Sequence, residues 1–255
     1  MDPNKVTAGQ IRAMKGGGKK IAALTAYDFA MARLLDEAGI PLLLVGDSLG
    51  MVVLGYPDTT AVTMADMEHH LGAAARAKPR ALLGADLPFR SCETPEQAVI
   101  NALRLVDAGA EFVKAEGGLA ILPQVRAIIT AGIPFCGHLG MLPQRVREEG
   151  GYHVKGRTDP ERQALLADAD ALVNAGAFAV VLELVAPPLA AELTRRIPIP
   201  TIGIGSGADC DGQILVTHDL IGTFPWFTPR FVKPALNAAE QMRTVVQQWK
   251  TSVES

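Results

Sequence analysis

Eight short apolar runs alternate with amphipathic stretches along the chain, and this alternation constrains the fold more than any other feature. Runs of about four to seven apolar residues are typical of buried strands, and the stretches between them have the periodicity of helices. A strand followed by a helix takes about 30 residues, so eight such units need about 250, and the chain has 255. The pattern predicts an α/β protein with strands at Ile21–Thr25, Leu42–Val45, Ala81–Ala85, Phe112–Ala115, Ile133–Cys136, Ala179–Leu182, Thr201–Ile204 and Ile214–Val216.

The segments that join these strands favour a (β/α)8 TIM barrel over an open, doubly wound sheet. Open sheets of that kind often carry a GxGxxG motif after the first strand, whereas Thr25–Asp28 contains no glycine. We therefore predict a single barrel domain over residues 1–255, with a short N-terminal helix at Thr7–Met14 and a C-terminal helix at Pro234–Trp249. The other predicted helices are Phe29–Ala38, Thr63–Ala77, Pro95–Ala108, Leu119–Ala131, Pro160–Ala175 and Pro187–Arg195.

Charge and cysteine content exclude several classes of partner and site. The 24 Lys and Arg residues nearly balance the 27 Asp and Glu residues, and no run of like charge is present to bind nucleic acid or an anionic membrane. No apolar run approaches the roughly 18 residues that span a bilayer, and residues 1–5 lack the apolar region of a signal peptide, so we expect a cytoplasmic protein. Cys92, Cys136 and Cys210 are too irregularly spaced for a disulfide framework or a CxxC metal site, and we expect reduced thiols.

Charged residues follow the predicted strands, where a parallel barrel places its active site. Several carboxylates that converge on one mouth repel each other and lose hydration, and a hard divalent cation removes that repulsion. A site that offers only oxygen ligands, a few of them protein carboxylates, suits Mg²⁺. The alternative is that each acid only caps the helix that follows its strand. The strand-end residues are Asp28, Asp47, Ser48, Asp86, Lys114, Glu116, His138, Glu183, His218 and Asp219.

Two glycine-containing segments lie at the same predicted end of the barrel. Gly203–Gly207 is similar to a barrel phosphate loop, although close approach of the backbone to any ligand would need the same glycines. Gly140–Arg157 is longer than an ordinary strand-to-helix connection, and we expect it to form a lid.

A series of motifs gives the chain a specific resemblance to one enzyme family. They are LTAYD at Leu24–Asp28, VGDSLGMVVLGY at Val45–Tyr56, ADLPF at Ala85–Phe89, VKAEGG at Val113–Gly118, CGHLGMLPQ at Cys136–Gln144, GGYHVKGR at Gly150–Arg157, VLE at Val181–Glu183, and GIGSG with CDGQILVTHD within Gly203–Asp219. In this order and spacing, which extends from Ile11 to about Lys233, they resemble ketopantoate hydroxymethyltransferase (3-methyl-2-oxobutanoate hydroxymethyltransferase).

This resemblance implies a barrel of the phosphoenolpyruvate/pyruvate superfamily, Mg²⁺ as cofactor, and a cytoplasmic homo-oligomer that is a decamer in many members. It implies transfer of a hydroxymethyl group from 5,10-methylenetetrahydrofolate to 3-methyl-2-oxobutanoate. The product would be 2-dehydropantoate, on the route to pantothenate and coenzyme A. The partners would then be small-molecule substrates rather than nucleic acid or membrane.

The resemblance also assigns roles to individual residues. Glu183 is the implied proton acceptor, which removes the C3 proton of the keto acid and leaves a Mg²⁺-stabilised enolate. The enolate carbon then attacks the methylene carbon of the folate iminium. His138 is a candidate auxiliary group that orients a water or buffers charge. The implied metal ligands are Asp47, Asp86 and Glu116, and the implied substrate-binding residues are Asp47, Ser48, Asp86 and Lys114.

Two other functions stay open at this point. Another Mg²⁺-dependent α-keto-acid lyase or mutase would use the same barrel and metal, but such relatives generally carry a catalytic cysteine or a phosphate-binding loop, and Gly140–Arg157 contains no cysteine. A non-catalytic metabolite-binding barrel should lose its costly acids, which are all present. Thr60–Thr63 and Leu184–Ala186 depart from the family pattern, and both departures bear on the loops around the folate.

Overall fold

Eight parallel strands close into a barrel in the computed structural model, which describes residues 4–255. The strands pair in chain order, so each neighbours the next along the sequence. The predicted (β/α)8 barrel is therefore confirmed. The strands are β1 (Ile21–Thr25), β2 (Leu42–Val45), β3 (Leu82–Asp86), β4 (Phe112–Glu116), β5 (Phe135–Gly140), β6 (Ala179–Glu183), β7 (Thr201–Ile204) and β8 (Gly212–Leu215).

Helices connect the strands, and their ends follow the capping residues in the sequence. Thr94 caps the helix that begins at Pro95, and Gly109 ends that helix in the left-handed conformation. The helices are α1 (Ala8–Ala13), α2 (Phe29–Glu37), α3 (Leu49–Val52), α4 (Met64–Ala75), α5 (Pro95–Ala108), α6 (Leu122–Thr130), α7 (Asp159–Ala175), α8 (Pro187–Arg196), α9 (Thr217–Ile221) and α10 (Ala238–Glu254). Short 3-10 helices occur at Thr59–Ala61, Leu119–Ile121 and Pro143–Arg145.

The predicted strands and helices are all present, and the ends of several of them are shifted. Strand β5 begins two residues later than predicted and continues through His138 to Gly140, while β8 begins two residues earlier, at Gly212. The C-terminal helix begins at Ala238 rather than at Pro234. Helices α3 and α9 were not predicted, because four or five residues are too few to show a helical period.

The barrel register aligns charged residues at the carboxyl ends of neighbouring strands. The strands are buried almost throughout, as expected of a parallel sheet whose two faces are covered. Their polar ends are therefore brought to one level of the barrel. The register pairs Asp86 with Lys114, Glu116 with His138, and Gly140 with Glu183.

The chain divides into two compact units, one ending at Ile214 and the other spanning Leu215–Ser255. The first contains almost the whole barrel, and the second contains α9 and α10. A single domain over residues 1–255 stays a prediction, and residues 1–3 of it lie outside the described part of the chain. Among residues 4–255, no helix is both long and apolar enough to cross a bilayer.

Candidate active site

Six ionisable strand-end side chains are gathered at the carboxyl end of the barrel, and all of them are shielded from solvent. They come from five consecutive strands, β2 to β6. The side chain of Glu183 is the most accessible of those in ion pairs, at 13%. Burial of so many charges is unfavourable unless they neutralise one another. The residues are Asp47, Asp86, Lys114, Glu116, His138 and Glu183.

Lys114 is the positive centre of this cluster. Its ammonium group lies 2.9 Å from Asp86 Oδ1 and 3.1 Å from His138 Nδ1. Burial alone would lower the pKa of Lys114, but the nearby carboxylates, Asp86 foremost, outweigh it and raise the pKa. Lys114 is therefore a permanent cation in this pocket.

His138 lies between Lys114 and Glu183. Burial, and then the charge of Lys114, hold its pKa well below the usual 6.5, so the ring is neutral. Because an ammonium group can only donate, Nδ1 accepts from Lys114 and Nε2 carries the ring proton. His138 Nε2 lies 3.3 Å from Glu183 Oε2, although the two groups are not aligned as a hydrogen bond.

Glu183 has the electrostatic properties of a general base. Burial raises its pKa to about 7, and the positive charge of Lys114 opposes this shift only in part. A carboxylate with a pKa near 7 combines a substantial ionised fraction at neutral pH with greater basicity than an exposed Glu.

The backbone around Glu183 has two unusual features. Leu184, the next residue, adopts a φ of 47°, which is rare for a side chain branched beyond Cβ. Gly140 pairs with Glu183 at a φ of +101°, and a Cβ on Gly140 would lie 2.2 Å from the Glu183 carbonyl oxygen. Only glycine fits this close approach, so the local backbone is specified by sequence.

Asp47 and Glu116 are joined by a residue that sequence analysis left without a role. Gln144 donates its side-chain amide to Asp47 Oδ2 at 2.7 Å and its backbone N–H to Glu116 Oε2 at 3.0 Å. Burial and the charge of Asp86 raise the pKa of Asp47 to about 7. Burial, and then Asp47, raise the pKa of Glu116 well above 4.5.

The carboxylates Asp47, Asp86 and Glu116 fit a hard divalent cation in their chemistry. They supply oxygen ligands only, and Lys114 is a single cation beside three carboxylates. As they stand within residues 4–255, no three Asp, Glu, His or Cys side chains form a ready cation site. Gln144 occupies one oxygen each of Asp47 and Glu116. The metal ligand set therefore stays a prediction.

Ser48 is positioned beside the carboxylates by Tyr27. The two hydroxyl oxygens are 2.8 Å apart, and the Tyr27 ring is buried after β1. The preceding backbone N–H, that of Asp47, donates to Asp86 Oδ2 at 3.1 Å. The turn after β2 thus presents Ser48 at the same end of the barrel as Asp86.

Three other strand-end residues have different positions. Asp28 caps α2 by accepting a hydrogen bond from Met31 N at 2.8 Å, so the helix-capping alternative is right for this residue. His218 and Asp219 lie on α9 in the second unit. In the glycine segment after β7, Ser206 donates to Leu182 O at 2.7 Å, which ties the segment to β6.

The segment predicted as a lid has contacts outside itself and one ion pair within itself. Arg147 forms an ion pair with Asp58 at 2.7 Å, whereas the pair between Lys155 and Glu149, at 2.6 Å, lies within the segment. The Lys155 N–H donates to Leu184 O at 2.8 Å, next to Glu183. Burial, and then the charge of Glu183, raise the pKa of Tyr152, and its hydroxyl lies 3.9 Å from Met51 Sδ.

Comparison with known proteins decides the family. The model of the family described as ketopantoate hydroxymethyltransferase matches residues 5–255. The chain belongs to the ketopantoate hydroxymethyltransferase family. Among its relatives, the 3-methyl-2-oxobutanoate hydroxymethyltransferase of Moorella thermoacetica is 52% identical over 98% of this chain and 94% of its own. That of Syntrophus aciditrophicus is 51% identical, with coverage of 98% and 93%.

Solved structures support the fold of this hydroxymethyltransferase family member. A 2,3-dimethylmalate lyase of the PEP mutase/isocitrate lyase superfamily superposes with a TM-score of 0.66 at 17% identity, over 96% of this chain and 88% of that one. The phosphoenolpyruvate phosphomutase of Streptomyces platensis subsp. rosaceus also gives 0.66, at 15% identity, with coverage of 97% and 88%. Both likenesses show the barrel fold of this chain.

Proposed function

We propose that this hydroxymethyltransferase forms 2-dehydropantoate from 3-methyl-2-oxobutanoate and 5,10-methylenetetrahydrofolate, with Glu183 as the base. The observation that carries the proposal is the buried row Asp86, Lys114, His138 and Glu183, in which a carboxylate with a pKa of about 7 stands near a fixed cation. A weak carbon acid needs both groups, because its proton leaves only if the resulting negative charge is stabilised.

Each of these side chains has its own role in proton removal. Ser48 and Lys114 bind the keto acid, and the ammonium group of Lys114 stabilises the negative charge that develops on the keto oxygen. Glu183 accepts the C3 proton as the C3–H bond breaks, and the electron pair moves toward that oxygen. The C3 carbon next forms a bond to the methylene carbon of the folate as one C–N bond of that carbon breaks. Water then replaces the second C–N bond, which supplies the hydroxyl oxygen and releases tetrahydrofolate.

We propose Asp47, Asp86 and Glu116 as the residues that would hold Mg²⁺. Their oxygen-only donor set and the excess of negative charge support this assignment. Bound there, the ion would add positive charge beside the substrate's carboxylate and keto oxygens.

A lyase or mutase of the same superfamily is less well supported by the site. The residues of the lid, 140–157, include no cysteine, and the hydroxyl of Ser206 in the glycine segment is used to hold β6. A non-catalytic barrel would have no reason to keep four buried acids and a buried lysine at one mouth, because each costs desolvation energy.

The direct test is a transfer assay that measures 2-dehydropantoate from the two substrates with Mg²⁺ present. Wild-type protein should form the product, and Glu183→Gln should reduce kcat by about 100-fold or more, since removal of a general base typically costs 10² to 10⁴. Glu96→Gln, which replaces an exposed acid of α5 outside the site, is the matched control and should keep full activity. Unchanged kcat in Glu183→Gln would rule out the proposed base.

We also propose that the protein is a cytoplasmic homo-oligomer. Helix α10 exposes an apolar stripe at 60–67%, with spacing of three, four and seven residues, formed by Met242, Val245, Val246, Trp249 and Val253. Such a stripe is typical of a surface that is covered by another protein. Light scattering should give a smaller species for Trp249→Glu than for the control Gln248→Glu. Equal masses for the two variants would remove this support.

A further inference from the structure

A cavity of about 170 Å³ adjoins the acidic cluster, but none of the residues proposed to bind the keto acid lines it. Ala115 and Glu116 of β4 and Gln144 of the lid are among the residues that line it. Gln144 is the side chain that contacts Asp47, so this cavity and the proposed keto-acid site are one residue apart. Two substrates that form a carbon–carbon bond need adjoining sites of this kind.

The apolar and aromatic residues of the cavity suit a flat ring. Leu87, Cys92 and Ile121 supply apolar surface. At one side, the Arg90 guanidinium stacks over the Phe89 ring with 5.3 Å between its carbon and the ring centroid. Planar guanidinium and aromatic groups are good stacking surfaces for a heterocycle.

The polar groups of the cavity match the edges of a pterin. Glu93, Glu116 and Glu148 line it, and carboxylates accept hydrogen bonds from the amino and ring N–H groups of a 2-amino-4-oxo pyrimidine. Arg145 is exposed at the rim and forms no ion pair within residues 4–255. A free cation at the rim is placed to meet the carboxylates of a glutamate tail.

Arg90 also carries local backbone strain at this wall. Its φ is +62°, a conformation that is uncommon for residues with a side chain. Strained positions of this sort occur preferentially at ligand sites, where the surroundings hold them in place. The strain is consistent with a loop shaped to present the Arg90–Phe89 stack.

We propose that this cavity binds the pterin head of the folate co-substrate, with Arg145 directed at its glutamate tail. The inference rests on the proposed function, because that function requires a one-carbon donor beside the keto acid. The reactive methylene would then lie on the Glu116 and Gln144 side of the cavity.

Titration calorimetry with 5-formyltetrahydrofolate, a stable folate, tests the site. Ile121→Phe fills the cavity, and it should raise Kd about tenfold or more, as expected for overpacking. Leu119→Phe is the matched control, since it lies on the same short helix but is exposed and outside the cavity, and its Kd should not change. An unchanged Kd in Ile121→Phe, with its fold confirmed by circular dichroism, would overturn the proposal.

A second variant covers the case in which Ile121→Phe does not fold. Arg145→Gln should weaken binding of the triglutamate form more than that of the monoglutamate, whereas the exposed cation variant Arg126→Gln should affect neither. Equal losses for the two forms in Arg145→Gln would remove Arg145 from the site and overturn the proposal as stated.

Failure of this inference can be separated from failure of the proposed function. Proton exchange at C3 of 3-methyl-2-oxobutanoate reports only on the keto-acid half and should be unchanged in Ile121→Phe. If the wild-type protein transfers the hydroxymethyl group but Ile121→Phe binds folate normally, the cavity assignment alone is wrong. If the wild-type protein neither transfers the group nor binds folate, both proposals are wrong.

Discussion

Replacing Glu183 by Gln should stabilise the folded protein at alkaline pH while abolishing its activity. The pKa of this carboxyl is raised from 4.5 to about 7 by burial. The folded protein therefore holds its proton up to a higher pH than the unfolded chain does. Ionisation of Glu183 is unfavourable in the folded state, so it lowers the free energy of unfolding as pH rises from about 4.5 to about 7.

The size of this effect follows from the shift. One pKa unit corresponds to 1.36 kcal/mol, so a shift of about 2.5 units costs about 3 kcal/mol once the pH is well above 7. At pH 5 most of this cost is absent, because the folded carboxyl is still neutral, and less than about 1 kcal/mol remains. Gln has the shape of the neutral acid and cannot ionise, so Glu183→Gln should recover the difference.

Urea unfolding at pH 5 and pH 8.5, with EDTA and at one protein concentration, measures this prediction. Glu183→Gln should exceed wild type in free energy of unfolding by about 3 kcal/mol at pH 8.5 and by less than about 1 kcal/mol at pH 5. Glu148→Gln should match wild type at both values. A Glu183→Gln protein that is equally or less stable at pH 8.5 would refute the claim that Glu183 is buried at an energetic cost.

Three further predictions concern the surroundings of the base. His138→Asn should slow C3 proton exchange, measured by NMR, by about tenfold or more. Asn can accept a hydrogen bond from Lys114 but is too short to reach Glu183 as well. An unchanged exchange rate would show that His138 has only a structural role. Gly140→Ala should lower both the melting temperature and kcat, because its Cβ would collide with the Glu183 carbonyl. Gly132→Ala, the control, is also at positive φ but faces open space, so it should lower only the melting temperature, and slightly. Equal kcat in the two variants would contradict this prediction. Arg147→Ala should speed proteolysis within residues 141–157. It should change the free energy of unfolding by less than about 1 kcal/mol, because the ion pair with Asp58 is exposed on the Arg147 side. An unchanged cleavage rate would show that this ion pair does not hold the lid in place.

The barrel could be predicted from sequence because its signals are local and repeated. Each strand is a short apolar run, and each long helix shows its period and a capping residue such as Thr94 or Gly109. Strand ends were less certain. His138 was placed after β5 because its polar side chain ends the apolar run, although the backbone continues to Gly140.

Strand-end position located the candidate site but did not identify all of its members. Asp28 and Asp47 look alike in sequence, yet Asp28 caps α2 while Asp47 is buried among other carboxylates. The difference arises from the turn that follows each strand, which has no strong signature. Gln144 was quoted within a motif and still had no role, because its contacts with Asp47 and Glu116 depend on how a long loop folds back.

The central claim is that Glu183 removes the C3 proton of 3-methyl-2-oxobutanoate. Proton NMR in D₂O measures this directly, with wild-type protein and Glu183→Gln, each with Mg²⁺ and with EDTA. The account predicts that the C3–H signal disappears only with wild-type protein and Mg²⁺. A C3–H signal lost equally fast with Glu183→Gln, or a Glu183→Gln protein that forms 2-dehydropantoate as fast as wild type, would contradict it.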